Sequence, residues 1–231
     1  MKRPDVVVIV PAYNEAEGIG ETLEAVARIP EVTRTVVVDD GSEDDTASVA
    51  ERAGAEVLRL ARNSGKGAAL AAGLVRADGD IVVLLDADLG ATAVEAGKLL
   101  APMLAGEADL TIARFPGGRK RSGLGLAQGL SRLGIRWLCG FQARWPLSGQ
   151  RALRREVVEA VTPLARGFGV ETAMTIDAVR AGFRVVEVEC DFEHRRTGRD
   201  WAGFRHRGRQ FVDVLRALAS RCWRGLRQRK R

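Results

Sequence analysis

From Val6 to Ala113 the chain alternates short apolar runs with longer amphipathic ones. Val6 to Pro11, Thr35 to Asp40, Glu56 to Leu60, Asp80 to Leu85 and Leu110 to Ala113 are too short for stable helices. The most uniformly apolar of them predict strands buried on both faces. Between them, Glu15 to Ile29 carries Ile19, Leu23 and Val26 at helical spacing. Asp44 to Ala53, Gly65 to Ala77 and Ala91 to Leu104 also predict helices. The second helix is entered through Gly41-Ser42, with Ser42 or Asp44 as its N-cap. Regular alternation of this kind predicts βαβ units and a mainly parallel sheet, hence an α/β fold.

Beyond Ala113 the pattern loosens. Residues 114–123, "RFPGGRKRSG", form a basic, glycine-rich loop, and 124–141 is helical in spacing but broken by glycines. Helices are predicted at Arg154 to Val161 and Glu171 to Ala181, a strand at Phe183 to Cys190, and a last helix from about His206 to Gln228. With no internal repeat and no linker, residues 1–203 are expected to form one domain and 204–231 a basic amphipathic extension.

Composition narrows the class. A hydrophobic fraction of 46% and a charged fraction of 29% describe a globular protein. No apolar run approaches the ~20 residues that cross a bilayer. Lys2 and Arg3 precede the first run, but "PAYNE" follows where a signal peptide would have its cleavage site. Three widely spaced cysteines without a CxxC pair suit a reducing cytoplasm and neither a disulfide framework nor a zinc site. The net charge of +6 conceals an asymmetry: residues 1–112 hold 10 basic against 20 acidic side chains, the remainder 26 against 10. The first half suits a cation or a metal-bound ligand, the second an anion. No reading helix or aromatic stacking platform points to nucleic acid, which leaves an anionic membrane surface or a phosphorylated acceptor.

Candidate chemistry gathers at the carboxyl ends of the strands, where open α/β sheets bind ligands. The first strand runs into Pro11 to Glu15, the second into Asp39, Asp40, Gly41 and Ser42, and the fourth into Asp86-Ala87-Asp88. Turn and capping roles would account for Asp39, Asp40 and Ser42 taken singly. Asp86 and Asp88 sit one residue apart, so on an extended strand both carboxylates share a face and repel. Without a nearby His or Cys, a hard cation, Mg²⁺ or Mn²⁺, carrying a diphosphate answers that arrangement. "NSGKGAAL" fails as a P-loop, because Leu60 stands where its first glycine belongs and Gly67 where its Ser/Thr does. Gly65 and Gly67 at a helix start still allow a phosphate to approach beside Lys66, or they merely open a packed helix. "GLGLAQG" follows no strand and is no dinucleotide fingerprint.

The stretches "VVIVPAYNEAEGIGETLEAV", "VVVDDGSEDDTASVA" and "NSGKGAALAAGLVRADGDIVVLLDADLG" resemble the successive motifs of the family 2 glycosyltransferases, which have the Rossmann-like GT-A fold. Ser148 to Val161 resembles that family's mid-chain motif. The polyprenyl-phosphate sugar transferases of the dolichyl-phosphate mannose synthase type are the most similar branch. The resemblance implies an inverting transfer from a nucleotide-diphospho-sugar. Pro11, Tyr13, Glu15 and Asp39 would hold base and ribose, Asp40, Gly41 and Ser42 would shape the turn, and Lys66 would lie near the diphosphate. Asp86, Ala87 and Asp88 would be the family's DxD, with Asp88 the metal ligand and Asp86 shared between metal and ribose. His194 in "EHRRTGRD" would be a third ligand, a plain surface position for it and for His206 being the alternative.

Glu171 falls where the family often keeps an acidic base; the helix dipole also favours a first-turn glutamate. A phosphate acceptor would need no base, and Arg114, Arg119, Lys120, Arg121, Arg151, Arg195, Arg196 and Arg199 would then grip its oxygens. The last helix places Phe204, Phe211, Leu215, Leu218, Cys222 and Leu226 on one stripe and arginines on the others. It suits either an anionic membrane surface or packing on its own domain. The expected activity is therefore sugar transfer to polyprenyl phosphate at the cytoplasmic membrane face. A soluble or polysaccharide acceptor with Glu171 as base is the alternative, and a nucleotidyltransferase or a non-catalytic nucleotide-sugar binder are more remote ones.

Overall fold

The computed structural model of the protein describes residues 3–115, 125–165, 167–195 and 201–228, the last segment with side chains from 208 to 223. Seven strands form a single sheet: β1 (Val6–Ala12), β2 (Arg34–Asp39), β3 (Glu56–Arg59), β4 (Ile81–Leu84), β5 (Leu110–Arg114), β6 (Arg151–Arg154) and β7 (Val185–Glu189). Their order is β3-β2-β1-β4-β6-β5-β7, and only β6 runs antiparallel to its neighbours.

The apolar runs become central strands because both of their faces are covered. Val6, Val8 and Val10 of β1 and Ile81 and Val83 of β4 point into one hydrophobic layer, with helices α1 (Ile19–Val26) and α4 (Ala96–Leu104). Val7, Ile9, Val82 and Leu84 point into the other, with α3 (Lys66–Arg76), α6 (Arg155–Val161) and α7 (Val170–Arg180). Each such fully buried side chain contributes roughly 1.5–3 kcal/mol, and the pleat apportions them alternately to the two layers. Helix α3 lies close to the sheet because Gly73 faces it: a Cβ there would come within 2.6 Å of the Ile9 side chain. Helix α2 (Thr46–Arg52) begins after Asp45, whose own side chain makes no capping hydrogen bond. Of the two residues expected as its cap, Asp44 accepts the backbone N–H of Thr46 at 3.0 Å, at the head of the helix, and that of Ala16 at 3.1 Å, whereas Ser42 accepts from Asn14 N in the loop after β1.

The second half departs from expectation in one element. Strand β6, between β4 and β5, was absent from the sequence reading, because its four residues begin and end with arginine. Helices α5 (Gly125–Cys139), α7 and α8 (Trp201–Gln228) enclose a third, smaller core around Ile135, Ile176, Val214 and Leu218. The last helix thus packs on the domain along one side.

Candidate active site

Strand order reverses between β1 and β4, and the crevice beyond their carboxyl ends is where such a sheet receives a ligand. A cleft of about 510 Å³ opens there, lined by Pro11, Tyr13, Glu15, Asp40, Lys66, Asp86, Ala87, Asp88 and His194. Ala12, Asn63, Gly65, Ala69 and Phe168 complete its wall.

Strand β4 ends at Leu84, so Asp86 and Asp88 occupy the turn after it rather than neighbouring positions on a strand face. Each carboxylate has its own partners. Asp86 Oδ1 lies 2.6 Å from Lys66 Nζ, and its Oδ2 accepts from Gln150 Nε2 at 2.7 Å. Burial opposes ionisation of Asp86, but the Lys66 ammonium and then His194 outweigh it and hold the carboxyl below the ordinary range. Lys66 also lies 3.5 Å from Glu171 Oε1. Burial would drive its proton off; the Asp86 and Glu171 carboxylates reverse that and lift its pKa above the ordinary lysine value. The approach requires Gly149, since a Cβ there would stand 2.5 Å from Lys66 Nζ and 3.0 Å from Asp86 Oδ1.

Asp88 Oδ1 lies 2.9 Å from His194 Nδ1. Ligand atoms of Asp86, Asp88 and His194 all fall within 4.8 Å of one another. The Nε2 of His194 is buried and has no hydrogen-bond partner among the described residues. Two carboxylates and an imidazole converging this closely, with one buried imidazole nitrogen left unsatisfied, fit a divalent cation, and the O,O,N donor set suits Mg²⁺ or Mn²⁺. Across the cleft, Glu15 is pushed towards its neutral form by burial and by the Asp88 charge, with Arg195 partly opposing.

Three loops are locked together to make this geometry. Asp40 accepts from the backbone N–H groups of Ser64 (2.8 Å) and Gly65 (2.7 Å), fixing the start of α3 and so Lys66. Asp39 Oδ1 accepts from Ser42 N at 2.9 Å, closing the turn through Gly41, whose φ is +74°. Asp39, Gly41 and Ser42 therefore border the cleft without lining it. Thr22, fully buried on α1, donates to Ala87 O at 2.8 Å and accepts from Gly90 N at 2.9 Å, clamping the DAD turn from both sides. Thr22, Gln150 and Phe168 were not singled out in the sequence. Thr22 lies inside an ordinary amphipathic helix and carries no local signal.

The arginines divide. Arg195 donates its backbone N–H to Asp88 O at 2.9 Å, and its guanidinium reaches Glu15 (3.6 Å) and Glu17 (3.4 Å) at the cleft edge. Arg114, at the end of β5, pairs with Glu189 at 2.6 Å. Arg151, expected at an acceptor phosphate, is instead 1% exposed, and it donates to Ser148 O, Pro146 O and Thr175 Oγ1. Its role is to hold β6 and α7 together, and burial pushes its pKa down to about 10 against the pull of Glu171 and Glu187. Arg119, Lys120, Arg121, Arg196 and Arg199 lie outside the described residues.

Comparison with known proteins agrees with this geometry. The family model described as "Glycosyl transferase family 2" matches residues 7–160. An uncharacterised glycosyltransferase of Mycobacterium tuberculosis is 35% identical over 84% of this chain and 88% of its own. An undecaprenyl-phosphate mannosyltransferase of Micrococcus luteus is 30% identical over 97% and 98%. The crystal structure of glucosyl-3-phosphoglycerate synthase from Mycobacterium tuberculosis, in complex with Mn²⁺, UDP-glucose and phosphoglyceric acid, superposes with a TM-score of 0.79. It is 30% identical and covers 95% of this chain and 80% of that one. With the GT-A architecture, the acid-lined switch-point cleft and these similarities in hand, the chain belongs to the family 2 glycosyltransferases.

Proposed function

We propose that the protein transfers a sugar, with inversion, from a nucleotide-diphospho-sugar to a polyprenyl phosphate, using Mg²⁺ or Mn²⁺. The observation that carries this reading is the convergence of Asp86, Asp88 and His194 at one end of the cleft. A divalent ion held there supplies charge neutralisation for the departing diphosphate. Tyr13, Glu15 and the turn through Asp39 and Asp40 hold the nucleoside end. Lys66, kept charged by its two carboxylates, keeps Asp86 oriented and adds a positive charge for the phosphates. Phe168 and the buried wall exclude water from the anomeric carbon.

A phosphate acceptor is already an anion and attacks without a general base. Glu171 is 7% exposed, bound by Lys66 and absent from the cleft lining, which supports a positioning role. The lipid acceptor is further supported by the mannosyltransferase of Micrococcus luteus and by the basic, apolar C-terminal helix. A soluble phosphorylated acceptor is the second reading, favoured by the likeness to the phosphoglycerate-bound synthase. Incubating the enzyme and Mn²⁺ with labelled UDP- or GDP-sugars, and with either undecaprenyl phosphate or 3-phosphoglycerate, separates the two. Label passing into the organic phase is expected. Label transferred only to phosphoglycerate would replace the lipid reading by the soluble one.

A further inference from the structure

Seven of the twelve large apolar side chains exposed among the described residues lie on α5 and α8, helices of 15 and 28 residues. Leu126, Leu133 and Trp137 repeat at seven and four residues along the outer side of α5, and Trp137 is 76% exposed. Val212, Leu215 and Trp223 continue the strip on α8, Trp223 being 67% exposed. Between the helices runs a groove of about 500 Å³ whose lining, including Leu130, Leu133, Trp137, Leu215, Leu218 and Cys222, is wholly apolar.

A patch of this kind on a folded domain marks an interaction surface, and its charge says of what kind. The two helices contain nine arginines and one acidic residue. That residue, Asp213, accepts from Phe168 N at 3.1 Å and is also 3.7 Å from Arg216. Arg136, Arg209 and Arg216 are exposed beside the apolar strip. A second copy of the chain would set arginine against arginine with no exposed carboxylate on this face to pair with. Lipid phosphates satisfy the arginines, acyl chains fill the apolar strip and groove, and indole rings sit at the boundary between them. No described helix is long and apolar enough to cross a membrane.

We infer that α5 and α8 together form a docking face for an anionic bilayer, with Leu133 and Leu215 entering the acyl region and Trp137 at its boundary. The face is tied to the donor cleft, because Asp213 of α8 holds the backbone of Phe168, a cleft-wall residue. The inference deepens the lipid-acceptor reading and rests on it for its purpose, while its test needs neither donor nor acceptor.

The full chain is mixed with vesicles of phosphatidylcholine, alone or with equimolar phosphatidylglycerol, and floated through a sucrose gradient. Flotation with the anionic vesicles only, weakened by salt, is expected. The triple variant Leu133→Ser, Trp137→Ser, Leu215→Ser should reduce it about tenfold or more, with melting temperature and UDP-Mn²⁺ binding unchanged. Arg136→Gln with Arg209→Gln should remove the preference for anionic lipid. Wild-type protein remaining at the bottom of the gradient, or the triple variant floating as well as wild type, overturns the face. So does a wild-type dimer in light scattering that the triple variant dissolves, which would assign the strip to a second copy. Flotation without transfer to undecaprenyl phosphate supports the face and overturns only the acceptor reading.

Discussion

Lys66 and Asp86, twenty residues apart in sequence, meet at 2.6 Å, and the same ammonium reaches Glu171 at 3.5 Å. One cation thus neutralises the first aspartate of the DAD turn and the glutamate at the head of α7, leaving Asp88 to His194. This division lets two aspartates stand one residue apart without mutual repulsion expelling either.

Lys66→Met should leave two carboxylates facing each other without their cation. Loss of one member of such a half-buried pair is expected to cost about 1–3 kcal/mol in urea unfolding of metal-free protein. Gly149→Ala should do the same by displacing Nζ, though both side chains remain. The pair's contribution holds above the ordinary aspartate pKa of about 3.9, because the Asp86 pKa is depressed, and fades as pH falls through that depressed value. It holds below the ordinary lysine pKa, because the Lys66 pKa is raised, and fades only as pH rises through the raised value. Unchanged stability of Lys66→Met across neutral pH would show that the pair contributes nothing.

Chelation should abolish turnover, and Mn²⁺ should restore it. Asp88→Ala should eliminate the bound-Mn²⁺ signal in electron paramagnetic resonance, and His194→Ala should weaken Mn²⁺ affinity about tenfold or more. A His194→Ala enzyme with wild-type Mn²⁺ affinity would remove this histidine from the ligand set.

Thr22→Val keeps the shape of the side chain but leaves Ala87 O and Gly90 N without their buried partner, at a cost of roughly 1–3 kcal/mol. Because those groups frame Asp88, Mn²⁺ affinity should fall about tenfold, and Thr22→Ser should recover it. A loss of stability with Mn²⁺ affinity intact would make Thr22 a packing residue only.

Arg151→Met should lower the melting temperature and reduce the yield of folded enzyme, since two carbonyls in the segment before β6 and Thr175 on α7 lose their donor. In the folded fraction the KM values for donor and acceptor should change by similar factors. A rise confined to the acceptor KM would return Arg151 to the acceptor site.

Glu171→Gln separates base from positioning residue. If Glu171 only helps hold Lys66, the glutamine variant should keep kcat within about threefold at all pH values; loss of a general base would lower kcat by about 10²–10⁴.

The parallel half of the sheet was legible because each central strand is a short, uninterrupted apolar run with a helix-spaced segment behind it. Strand β6 was not legible. Arg151 and Arg154 at its ends obscure the two apolar residues between them, and its antiparallel insertion between β4 and β5 depends on partners far away in sequence. The DAD pair, Glu15 and Asp40 were legible as candidates for the cleft they now line because strand ends face the ligand crevice of an open α/β sheet, and Lys66 because glycines flank it at a helix start. Thr22 was not, since its hydrogen bonds span 65 and 68 residues.

What the sequence determined by itself was the α/β class, the acidic rim and the basic, amphipathic last helix, because each is written in local spacing and charge. Only the tertiary structure decided which partner each acid meets: Lys66 and Gln150 for Asp86, and His194, 106 residues away, for Asp88. It also turned Arg151 inward to become a brace and joined α5 to α8 along one apolar strip. Contacts of that kind depend on strand order and helix packing, which bring distant segments together and leave no periodicity in the chain.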